Sequence, residues 1–91
     1  MSAIDTRKPK VDAGDYAALV EKVSGDAVTR GWVECLGCRN ASHAAEIVAL
    51  DELAVVDDTA VVLVEDHNGK QQRFEVTMRV KSWGEMKELP A

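Results

Sequence analysis

Lysine and arginine are missing from the whole stretch between Asn40 and Gly69, which nonetheless carries seven acids: Glu46, Asp51, Glu52, Asp57, Asp58, Glu65 and Asp66. The chain's formal charge is −5, and the rest of it is close to balanced: six basic against six acidic residues in 1–39, five against three in 70–91. A local field of one sign attracts basic partners and repels nucleic acid. With a pI near 4.9, direct nucleic-acid binding is not expected.

Other scarcities exclude further classes. The longest apolar run, Ala60 to Val64, is far too short to span a bilayer, and Met1 to Lys10 has no apolar run to serve as signal or anchor. The expectation is a cytoplasmic protein with no membrane partner. Two cysteines, three positions apart, are not the spread framework of a secreted disulfide domain. Only four aromatics are present, Tyr16, Trp32, Phe74 and Trp83, and both tryptophans are expected to be buried. No glycine-rich phosphate loop and no nucleophile motif occurs, and the pairs Asp51-Glu52 and Asp57-Asp58 lack calcium-loop spacing. No enzymatic activity and no cofactor are therefore expected.

What is present describes one small folded domain. A 46% hydrophobic and 30% charged composition is that of a globular chain, and 91 residues bury about 60–65% of their unfolded surface. Residues 1–11, with Arg7, Lys8, Pro9 and Lys10, read as a mobile basic arm, 12–83 as the domain and 84–91 as a polar tail. Met86 and Leu89 of that tail are placed to dock one turn against the body.

Tyr16, Leu19, Val20 and Val23 fall at i, i+3, i+4 and i+7, which predicts a first helix, capped by Asp12 or Asp15 and ended by Gly25. Ala27 to Leu36 is rich in β-formers and predicts a strand. Ser42 can cap a second helix over 43–53, although Ile47-Val48 and Val55-Val56 also suit strands, and Leu53 to Val56 is placed to form a short one.

Thr59–Asp66 and Lys70–Lys81 flank His67-Asn68-Gly69, a hairpin signal. A two-residue Asn68-Gly69 turn sets Leu63 opposite Phe74, Val61 opposite Val76 and Asp58 across from Arg79. A three-residue loop sets Val62 opposite Phe74 instead. The expected fold is α+β: two helices packed on an antiparallel sheet of three to four strands centred on the 59–66/70–81 hairpin.

Cys35-Leu36-Gly37-Cys38 is the spacing with chemical meaning, since two thiolates at C-x-x-C can grip a metal or form a redox disulfide. His43 follows at zinc-knuckle distance, but the fourth ligand of that pattern falls at Val48. His67 completes a site only if the hairpin tip reaches the cysteines. Two free thiols and no metal are expected.

The leading functional expectation is a small acidic protein-interaction module whose Asp51, Glu52, Asp57, Asp58, Glu65 and Asp66 meet a basic surface of a protein partner. In size, charge and lack of motifs the chain resembles the small accessory proteins of phages and other mobile elements, including inhibitors of nucleic-acid-handling host complexes. That resemblance is of general character and rests on no motif. The alternatives are a metal-stapled C-x-x-C module and a self-assembling structural or assembly component.

Overall fold

A computed structural model of the chain describes residues 10–80 and 83–90. In order the elements are β1 (Tyr16–Val23), β2 (Asp26–Ala27), β3 (Val33–Cys35), α1 (Ala41–Glu52), β4 (Thr59–Glu65), β5 (Gln71–Val80) and β6 (Trp83–Leu89). The strands form one antiparallel sheet in the order β2-β1-β4-β5-β6, and β3 also pairs with β1. The helix covers one face of this sheet. Arg7, Lys8 and Pro9 of the expected basic arm, and Lys81 of the expected last hairpin strand, lie outside the described residues.

The expected pair of helices on three or four strands is therefore corrected to a six-stranded sheet with a single helix among the described residues. The first predicted helix is β1, a strand between β4 and β2/β3. A bulge between Val20 and Lys22 explains its helix-like spacing. Tyr16, Ala18 and Val20 alternate onto the helix side, the extra residue resets the phase, and Val23 returns to that side opposite Ala60. A bulged strand thereby imitates i, i+4, i+7. Ala17 is buried as well as Ala18, which removes the inside-outside contrast that marks a half-exposed strand.

Three further expectations change. The predicted 27–36 strand reduces to the short β2 and β3. Leu53 to Val56 forms no strand: Leu53 is the buried C-cap of α1, and the chain then turns through Asp57, whose φ is 73°. Residues 83–89, expected as a strand end and tail, form β6, so Met86 and Leu89 pair opposite Val76 and Arg73 of β5.

The hairpin exists but with the three-residue loop. Val62 opposes Phe74 and Leu63 opposes Arg73. Gly69 has φ 84° and its N–H bonds the Asp66 carbonyl at 3.1 Å, while Asn68 does not have positive φ. This is a type I turn closed by a left-handed glycine, whereas the two-residue type I′ turn requires positive φ at both central positions. The one-residue shift puts Met78 against Asp58, so Arg79 reaches Asp57 (3.0 Å) and Glu85 (3.1 Å) instead of Asp58.

The core lies between sheet and helix. Val20, Val62, Val64, Phe74, Val76 and Met78 pack beneath Ala41, Ala44, Ala45 and Ala49 of α1. Each large side chain buried there contributes about 1.5–3 kcal/mol. Asn40, not Ser42, caps the helix, its carboxamide oxygen accepting the His43 N–H at 2.8 Å. Small residues on the inner helix face let α1 lie close to the sheet. Gly84 allows the same closeness, since a Cβ there would sit 2.9 Å from Val76 Cγ1 and 3.5 Å from Leu50 Cδ2. No helix among the described residues is long and apolar enough to cross a membrane.

Candidate functional site

The six acids singled out in the sequence do not share one surface. Asp57 and Asp58 precede β4 and Glu65 and Asp66 end it, so the two pairs are separated by roughly 23 Å of extended strand. Several are also engaged. Glu65 is buried and its Oε1 accepts from Gln71 Nε2 at 2.9 Å. Asp66 Oδ1 accepts the backbone N–H groups of Asn68 and Lys70, each at 2.9 Å, closing its own turn. The Lys70 N–H, first, and that of Asn68 hold the Asp66 carboxyl below the usual Asp range. Asp57 is paired with Arg79, and Glu52 with Arg30 at 3.3 Å. Asp51 is exposed at the end of α1, and no ion pair among the described residues engages it.

Cys35 and Cys38 come together as buried free thiols, one at the end of β3 and the other in the loop before α1. Burial first, then its neighbour Cys38, pushes the Cys35 thiol up to about 11. Burial and then the Asp15 carboxylate raise Cys38 also. Asp15 is held there by the Gly37 N–H, which donates to its Oδ1 at 2.9 Å. Both shifts favour the protonated thiol over the thiolate, which is the form that attacks or ligates. His43 is turned to its own loop, Nδ1 accepting the Arg39 N–H at 3.1 Å, and His67 is exposed at the hairpin tip. Among the described residues no three ligating groups converge.

The site that sequence reasoning missed lies beside these thiols. β3 and the loop after it run along the flank of α1, leaving a groove of about 320 Å³ lined by Val33, Leu36, Ile47 and Val48, floored by Cys35 and Cys38, and edged by Glu34, Asp51 and Glu52. Three of its apolar side chains are strongly exposed: Val33 at 45%, Leu36 at 68% and Ile47 at 46%. A second hollow of about 290 Å³ continues it past Val33 and Val48 toward Arg30 and Trp32.

Local sequence explains the exposure. Gly37, at φ 66°, turns the chain so that Leu36 projects away from the buried cysteines on either side. On α1 the alanines take the inner face, and Ile47 is left outside. A leucine inside a Cys-Leu-Gly-Cys turn is the signal in the sequence that could have found it. A second exposed set, Val55, Val56, Val80 and Trp83, lies outside the lining of this groove, so Trp83 at 52% is not the buried residue expected, while Trp32 is partly buried.

Chemically, the groove offers apolar contact beside carboxylates. No protein-family model, curated protein or solved structure is similar to this chain.

Proposed function

We propose that the protein is a protein-binding module whose docking face is the groove between β3 and α1, and that its partner presents a segment of alternating apolar and basic side chains. The observation that carries this reading is the meeting of Val33, Leu36 and Ile47, each about half exposed or more, around one hollow edged by Glu34, Asp51 and Glu52. Apolar anchors filling a pocket supply affinity, and charges at the rim supply orientation and association rate.

The chain's negative charge adds long-range attraction for a basic partner. Basic, partly apolar segments of this kind are the surfaces with which proteins handle nucleic acid. Occupation of such a segment excludes nucleic acid from it, and inhibition of a nucleic-acid-handling partner is the outcome we propose.

The test compares partner capture by the wild-type protein with capture by Leu36→Asp and by Asp51→Lys. Both positions are exposed, so both variants should melt within about 0.5 kcal/mol of wild type. Leu36→Asp should lose binding through faster dissociation, and Asp51→Lys should slow association most at low salt. Unchanged capture by Leu36→Asp would remove the groove from consideration.

A further inference from the structure

The far edge of the sheet points to a second surface. Backbone pairing alternates along β5: the Asp66 N–H bonds the Lys70 carbonyl (3.0 Å) and the Met78 N–H bonds the Asp58 carbonyl (2.9 Å), so the even residues of β5 turn their N–H and C=O groups to β4 and the odd ones to β6. Through the register Glu75 opposite Lys87 and Thr77 opposite Glu85, the odd residues of β6 face β5. The backbone groups of Gly84, Met86 and Glu88 are left pointing outward, and no strand among the described residues pairs with them. Gly84 shows this directly, its N–H donating to Glu46 Oε2 at 3.2 Å on the open side.

An open edge strand is a template for another strand. The sequence Trp83-Gly84-Glu85-Met86-Lys87-Glu88-Leu89 is complementary to itself read backwards. In an antiparallel pair centred on Met86, Met86 meets its own copy and Gly84 meets Glu88 as hydrogen-bonded pairs. Glu85 meets Lys87 and Trp83 meets Leu89 as the non-hydrogen-bonded pairs, whose side chains come closest. The neighbouring registers that keep the outward groups aligned oppose Glu85 to Glu85 or Lys87 to Lys87. Charge thus selects one register, and that register also covers Trp83, which is 52% exposed in the single chain.

We infer that the protein forms a two-fold dimer through β6, joining two sheets into one continuous sheet about an axis at Met86. The two helices lie on the same face and, being centred near β4, are roughly 24 Å apart, too far to clash. Glu46 acts as a guard of this edge. Pairing exchanges its bond to the Gly84 N–H for the Glu88 carbonyl of the second copy, and the freed carboxylate then stands near the Glu88 side chain of that copy. Dimerisation is accordingly weak in the wild type and stronger once Glu46 is removed.

Sedimentation over a range of concentrations tests this independently of the groove, since mass is read without any other partner. Wild type should move toward twice the mass of one chain as concentration rises, and Glu46→Ala should do so at lower concentration. Glu85→Lys and Lys87→Glu should each remain single chains, because each sets like charges opposite one another. An equimolar mixture of those two should recover the doubled mass, since both lysines of the first variant then face the two glutamates of the second. Met86→Pro, whose lost N–H points away from β5, should keep the folded circular dichroism spectrum and stay a single chain. A wild-type chain that stays single at its solubility limit, or a mixture no heavier than its components, would overturn the proposal.

Discussion

Asp66 shows how a residue that looks functional can be spent on the fold. Its carboxylate oxygen gathers two backbone N–H groups of the turn that it begins, and those bonds depress its pKa. A depressed Asp contributes stability that is fully present above the ordinary value of about 3.9 and is lost as pH falls through the lowered one. Acid titration should therefore show the hairpin amides of Asn68 and Lys70 losing hydrogen-exchange protection below that ordinary value, in step with Asp66 protonation. In Asp66→Ala the same amides should be weakly protected at every pH. Equal protection in the two proteins would show that the carboxylate does not hold the turn.

The elements divide into those the sequence declares and those whose pattern is erased by packing. The hairpin is legible because Asn68-Gly69 sits between two β-rich runs, but its register is decided by a three-residue loop that the dipeptide alone does not specify. β1 reads as a helix because the bulge at Glu21 gives its inner residues helical spacing and because Ala17 and Ala18 are both buried. The helix 41–52 is legible near its true limits, yet its inner face is not. Bulky Ile47 looks like core, and the alanines that let α1 approach the sheet are the buried ones. Ala45→Leu should then overfill the interface and cost about 1–3 kcal/mol, whereas Ile47→Ala should change stability by less than about 1 kcal/mol. Thermal or urea unfolding of the two variants checks this, and the reverse order of effects would place the helix on the sheet by its other side.

For the whole molecule, an acidic window in the sequence becomes acids dispersed over both ends of a sheet, with Asp57 and Glu52 held by arginines from outside that window. The net charge survives as a long-range field, while the docking face we propose is a site the charge pattern does not reveal: the hollow where Val33 and Leu36 meet Ile47. Beyond the leucine of the Cys-Leu-Gly-Cys turn the sequence hardly hints at it, because Val33 of β3, Leu36 of the loop and Ile47 and Val48 of α1 come together only through the pairing of β3 with β1. The most direct measurement places a photoreactive side chain at Leu36, and separately at exposed Asn68 on the hairpin tip, and compares what each captures inside the producing cell. Capture of one partner at position 36, through a segment that alternates basic and apolar residues, with little at position 68, is the predicted result. Equal capture at both positions, or capture of that partner at 68 alone, would contradict the groove as the binding face.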